Sequence, residues 1–160
     1  MGRLGLGPKT TNLGLARPLP KPPSEPFFGT TSWMLRFLLI GLGGAVGTWA
    51  RYLVALWAAK ALGTSFPYGT LIVNLAGCFL IAAVMHVALS TSHVPLTLRL
   101  TLTTGFLGGM TTYSSFNYET TKLLQERAWA TGLLNFAGTI LACFAAGLLG
   151  LFVARRVLGN

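Results

Sequence analysis

Two threonines, two serines and two aromatic rings occupy the six residues from Thr111 to Phe116, directly after Gly108, Gly109 and Met110. No charged side chain occurs from Leu100 to Tyr118. In hydrocarbon every peptide group must find a partner, so a helix weakened by Gly-Gly and Thr-Thr persists only where the released carbonyls meet protein, water or an ion. The pattern predicts a functional break in a membrane segment. Tyr113 and Phe116, at helical spacing, share one face beside the hydroxyls of Ser114 and Ser115. A ring edge carries partial positive charge and can touch an anion without holding it tightly, which favours conduction over storage. Taken alone, the same two rings are equally at home in a core or against lipid.

Three further places carry polar chemistry in apolar surroundings. Asn74, in Gly69-Thr-Leu-Ile-Val-Asn-Leu-Ala-Gly77, is an amide that is costly to bury unpaired. Its NH₂ can donate to a passing anion, or it can be interhelical hydrogen-bond glue. Asn135, Thr139, Cys143 and Gly147 recur every fourth residue and draw a small or polar lane along an apolar helix, suited either to lining a path or to a packing seam. Arg51 lies about 24 Å along the first apolar segment at about 1.5 Å per residue. There it can reach the headgroups, or it can form an electropositive vestibule that concentrates anions.

Catalysis is poorly provided for. There is no aspartate, the glutamates are Glu25, Glu119 and Glu126, and neither His86 nor His93 has partners at metal-ligand spacing. No carboxylate falls well inside an apolar segment, which disfavours a proton-coupled carrier. Cys78 and Cys143 read as small apolar packing residues.

The elements that must position these groups are membrane helices. Of 160 residues, 52% are hydrophobic and 9% charged, a membrane composition. Four segments have the length of a span: residues 35–57, 69–89, 98–118 and 130–153. The expected fold is an all-α integral membrane protein of four transmembrane helices, the third broken between Gly108 and Thr112. So few helices enclose little space, and an oligomer is the natural expectation. The formal charge of +9 is scattered among helix ends rather than interleaved with aromatics, so it fits membrane flanks and not nucleic acid.

Residues 1–33 carry six prolines with several glycines and basic residues, and read as a disordered tail ahead of a domain over 34–160. Met34 directly precedes the first apolar run, which suggests that translation starts there. From Met34 onward, Arg36, Arg99, Arg155 and Arg156 oppose Lys60, Lys122, Arg127 and Arg51, a balance that barely specifies an orientation and permits insertion both ways. Gly43 with Gly47, and Gly105 with Gly109, allow close backbone approach. Pro67 and Pro95 mark helix starts.

Three ordered motifs carry a resemblance: Gly43-Gly-Ala-Val-Gly-Thr-Trp-Ala-Arg-Tyr52, the Asn74 segment, and Gly105-Phe-Leu-Gly-Gly-Met-Thr-Thr-Tyr-Ser-Ser-Phe116. Together they resemble the CrcB/Fluc fluoride channels from about Met34 to the C-terminus. The resemblance implies an antiparallel, dual-topology homodimer in the cell inner membrane that passes fluoride out of the cytoplasm. It also implies a structural sodium ion held by the backbone carbonyls of Gly108 and Thr111 and not itself transported. The family's pore positions fall on Asn74, Tyr113, Ser114, Ser115, Phe116 and Thr139, and its vestibule arginine on Arg51. Tyr113 stands where the family usually has Phe, and Ser115 where Thr is common. The rivals are a small proton-coupled multidrug or cation exporter and a non-transporting assembly subunit.

Overall fold

A computed structural model describes residues 30–91 and 94–159. Most of the proline-rich tail, and His93, lie outside the described residues. The helices are α1 (Thr30–Leu62), α2 (Tyr68–Ser90), α3 (Leu96–Leu100), α4 (Gly108–Met110), α5 (Tyr113–Gln125) and α6 (Trp129–Leu158), with a π-helical stretch, Thr101–Leu107, joining α3 to α4. No strand occurs among the described residues. Helix α1 begins at Thr30, inside the stretch assigned to the tail.

Among the described residues three helices are long and apolar enough to cross a bilayer: Trp33–Leu62, Tyr68–Ser90 and Trp129–Leu158. The burial pattern agrees with that solvent. Large apolar side chains point outward, with Trp49 67% and Phe144 69% exposed, whereas Asn135, Thr112, Thr120 and Thr139 are buried. In water this arrangement would be inverted. Against lipid it costs nothing outside, and inside it supplies the hydrogen bonds that hold helices together.

The punctuation follows the residues. Pro67 and Pro95 stand immediately before α2 and α3, where a missing N–H costs nothing. Gly63, at φ 85°, ends α1 in a conformation that a Cβ would strain. Between α5 and α6, Ala128 N–H reaches Leu123 C=O at 2.9 Å and Arg127 N–H reaches Leu124 C=O at 3.1 Å. This is a Schellman closure, with Arg127 itself at φ 61°.

The glycine pairs bring backbones together as their spacing predicts. A Cβ on Gly43 would lie 2.8 Å from Thr101 O, and one on Gly105 would lie 2.7 Å from Ile40 O. One on Gly47 would strike Phe106 O, and one on Gly109 would strike Gly44 O. Helix α1 is thus seated on the π-helical stretch and α4 through four glycines. Residues Val73, Leu107 and Met110 form the small apolar core beside this seam. Helix α2 packs on α6, where Gly150 admits the Phe79 backbone.

The π-helical stretch has no counterpart in the sequence expectations. At its start, Thr101 donates to Thr97 C=O and Thr103 to Arg99 C=O, each at 2.8 Å. Hydroxyls that back-bond this way compete with the backbone for carbonyls and bend helices.

Candidate functional site: a groove at the Thr111–Thr112 turn

The helical path stops at Met110 and resumes at Tyr113. Thr111 (φ −82°, ψ 155°) and Thr112 (φ −152°, ψ 114°) between them are extended. The expected interruption reached back to Gly108, but Gly108, Gly109 and Met110 remain helical. Thr111 N–H still closes on Leu107 C=O at 2.9 Å, and its hydroxyl donates to the same carbonyl at 2.9 Å, so the last turn is doubly pinned before the chain leaves it.

The extended residues are held by one side chain. Asn74 Nδ2 donates to Thr112 C=O at 3.0 Å, and Thr112 N–H donates to Asn74 Oδ1 at 2.8 Å. A carboxamide carries a donor and an acceptor in one plane and satisfies both backbone groups at once. Asn74 thus ties α2 to the extended turn between α4 and α5. The second N–H of its amide is not used in this pair.

Thr112 then starts α5. Its Oγ1 accepts from Ser115 N–H at 3.1 Å, donates to Ser115 Oγ at 3.0 Å and lies 3.2 Å from Ser114 Oγ. This is an N-cap, the motif that replaces the missing carbonyl of a preceding turn. Both serines are thereby drawn to the cap.

Tyr113 and Phe116 are in ring contact, centroids 5.6 Å apart and tilted by 53°. Their surroundings differ: Tyr113 is 76% exposed and Phe116 is 4% exposed, stacked on Phe136 at 6.3 Å. Behind Phe116 runs a buried relay. Thr139 Oγ1 donates to Asn135 Oδ1 at 3.2 Å, Asn135 Nδ2 donates to Thr120 Oγ1 at 2.8 Å, and Thr120 donates to Phe116 C=O at 2.7 Å. Two members of the expected polar lane on α6 thus fasten α5. Sequence reasoning missed Thr120, and its polar neighbours on a mostly polar α5 gave no sign that it faces inward.

A groove of about 340 Å³ is lined by Asn74, Gly108, Thr111, Tyr113, Phe116 and Thr139, together with Cys78 and Cys143. Six residues proposed from sequence therefore meet in one place. Ser114, Ser115 and Arg51 are not among its lining residues. Arg51 is half-buried on α1, one turn before Ala55. Ala55 borders a second groove, of about 290 Å³, with Thr70, Glu119, Lys122 and Glu126. There Thr70 Oγ1 donates to Glu119 Oε1 at 2.8 Å.

Comparison with known proteins decides the family. The family described as "CrcB-like protein, Camphor Resistance (CrcB)" matches residues 38–151. The chain belongs to the CrcB family. Proteins named "Fluoride-specific ion channel FluC" are similar over their full length. The one from Sorangium cellulosum is 51% identical over 127 residues, covering 79% of this chain and 100% of its own. That of Geobacter metallireducens is 46% identical over 124 residues, covering 78% and 100%. That of Anaeromyxobacter dehalogenans is 46% identical over 126 residues, covering 79% and 100%. CrcB membership together with the three apolar helices makes this a multi-pass membrane protein of a channel family, not an enzyme.

Proposed function

We propose that this chain is a fluoride-selective channel of the cell inner membrane that lets cytoplasmic fluoride leave down its electrochemical gradient and so lowers its toxicity. The observation that carries the reading is the groove in which Asn74, Thr111, Tyr113, Phe116 and Thr139 converge on the Thr111–Thr112 turn, in a chain about half identical to a protein named for fluoride conduction. The third crossing is made by α3 through α5, with the extended pair inside it. Two such chains insert in opposite orientations as a homodimer, which suits the near-balanced flanking charges and the wide apolar surface each chain leaves uncovered.

Fluoride sheds water in stages as protein groups take over. Arg51 raises its local concentration, the free amide N–H of Asn74 and the Thr139 side of the groove offer polar contact, and the edges of Tyr113 and Phe116 give weak contact. Ser114 and Ser115, gathered at the Thr112 cap, offer hydroxyls at the same turn. No energy source is needed. An inside-negative potential favours anion exit by about 2.3 kcal/mol per 100 mV.

The backbone at the turn fits a structural sodium ion. In an unbroken helix Gly108 C=O would accept from Thr112 N–H, and Thr111 C=O from Ser115 N–H. Here Thr112 N–H is given to Asn74 and Ser115 N–H to Thr112 Oγ1. Both carbonyls are thus released from their usual donors, and carbonyl oxygens are the ligands that a hard cation takes. Gly108 and Thr111 would hold it, and its charge would fix the carbonyls of the turn.

The test is fluoride efflux from liposomes holding the purified chain, with a potential imposed and no proton gradient. Rapid efflux is expected. Flux that appears only with a proton gradient would favour the proton-coupled exporter, and no flux under either condition would overturn the channel reading.

A further inference from the structure

The helix contacts gather Arg36, His86, Arg99, Arg155 and Arg156 at one end of the bundle. A Cβ on Gly43 would meet Thr101 O and one on Gly47 would meet Phe106 O, so α1 and the π-helical stretch run side by side in the same direction. Arg36 lies about 10 Å before Gly43, and Arg99 about 3 Å before Thr101. Gly147 and Gly150 meet the Cys78 and Phe79 carbonyls in the same sense, so α2 and α6 also run parallel. Beyond that contact come His86, about 10 Å on from Phe79, and Arg155 and Arg156, about 8 and 9 Å on from Gly150. Helix α2 returns along α1 from the close contact of Gly69 with Ala55. Arg36 is about 28 Å from Ala55 along α1 and His86 about 26 Å from Gly69 along α2, which brings both to one level.

This end has no carboxylate among the described residues. Glu119 and Glu126 lie at the other end, Glu119 bonded to Thr70 at the start of α2 and Glu126 paired with Lys122 at 3.9 Å; Glu25 is outside the described residues. Arg36 Nε and His86 Nε2 are buried without a hydrogen-bond partner. The Arg36 guanidinium is thus seated against the helices with no counter-charge of its own. Arg156 is folded back along α6, its guanidinium carbon 5.1 Å over the Phe152 ring, and so stays at the edge of the apolar surface instead of reaching into water. Phe37, Phe152 and Val157 are exposed beside these charges.

We propose that this end is a docking surface for anionic phospholipids, whose phosphates meet the guanidinium groups of Arg36, Arg99, Arg155 and Arg156 while their acyl chains cover Phe37, Phe152 and Val157. Guanidinium forks match phosphate oxygens. A zwitterionic headgroup brings an ammonium that the same arginines repel, so the surface selects lipid of net negative charge. The exposed apolar side chains favour a lipid over a free phosphate, which has no use for them. The inference needs a bilayer around the chain and does not depend on fluoride conduction.

The test is native mass spectrometry of the purified full chain in detergent, offered phosphatidylglycerol and phosphatidylcholine in equal amounts. The wild type should retain phosphatidylglycerol in preference. Arg155→Gln with Arg156→Gln should lower that preference at least about fivefold, the factor that one arginine near an anionic headgroup is worth. Arg36→Gln with Arg99→Gln should do the same. Lys60→Gln with Lys122→Gln removes equal charge from the other end and should leave the preference nearly unchanged, and excess inorganic phosphate should not displace the lipid. No preference in the wild type, or none lost in the arginine variants, would overturn the proposal. An equal loss in the lysine variant would overturn it in favour of net charge alone, and displacement by inorganic phosphate in favour of a free-anion site. Arg155 and Arg156 are exposed, so that pair decides the outcome even where replacing Arg36 and Arg99 disturbs folding.

Discussion

The carboxamide of Asn74 and the peptide of Thr112 are joined by two antiparallel hydrogen bonds, 3.0 and 2.8 Å long, across the gap between α2 and the extended turn. A single side chain thereby does what a neighbouring strand would do, and satisfies this non-helical backbone without water. The pairing also accounts for the orientation of the amide. Thr112 N–H needs an acceptor and Thr112 C=O needs a donor, so only one flip of Asn74 serves both.

Asn74→Leu should therefore damage the fold before it damages any site. It strands a donor and an acceptor together, at about 1–3 kcal/mol each. Asn74→Asp should be intermediate, since an ionised carboxylate still accepts from Thr112 N–H but leaves Thr112 C=O without a donor. Thermal unfolding in detergent checks the order: wild type highest, then Asp, then Leu. A Leu variant as stable as wild type would show that the turn is held by something else.

Gly77 faces the same turn from below. A Cβ added there would collide with Thr111 Cγ2, and overpacking of this kind costs about 1–3 kcal/mol. Gly77→Ala should be destabilised accordingly. Thr111→Ser removes the colliding methyl while keeping the hydroxyl that donates to Leu107 C=O. The double variant Gly77→Ala with Thr111→Ser should recover most of the loss, a coupling that stability measurements on all four proteins would read directly.

How far these contacts could be foreseen depends on the kind of information each needs. The glycine seam was legible, because Gly43, Gly47, Gly105 and Gly109 repeat at one helical turn and only close backbones give such a repeat a use. The limits of the interruption were not. Gly-Gly weakens a helix without ending it, and what ends this one is Asn74 capturing Thr112 N–H from another helix. The gathering of Asn74, Thr139, Tyr113 and Phe116 was proposed from motif resemblance, whereas the inward turn of Thr120 depends on the angle at which α5 leaves the cap. No local pattern encodes that angle.

The unequal burial of the ring pair separates function from folding. Tyr113 is 76% exposed, so Tyr113→Ala should change stability by no more than about 0.5 kcal/mol. If the ring edge contacts fluoride in transit, efflux from liposomes should nonetheless fall by roughly tenfold or more, equivalent to about 1.4 kcal/mol on the barrier. Phe116→Ile should slow efflux further, with some loss of stability from the stack on Phe136. Unchanged efflux in both variants would remove the rings from the pathway.

The relay from Thr139 through Asn135 and Thr120 to Phe116 C=O should behave as one unit. Asn135 is 1% exposed, and every bond in the chain depends on its neighbour being oriented. Asn135→Leu leaves the Thr120 hydroxyl without its donor, and Thr120→Val leaves Asn135 Nδ2 without its acceptor. Each alone should cost about 1–3 kcal/mol. Replacing both removes donor and acceptor together, so the double variant should be at least about 1 kcal/mol more stable than the sum of the two losses predicts. Strict additivity in that four-protein cycle would mean that Thr120 and Asn135 do not rely on each other, and that packing alone holds Phe116 in the groove wall.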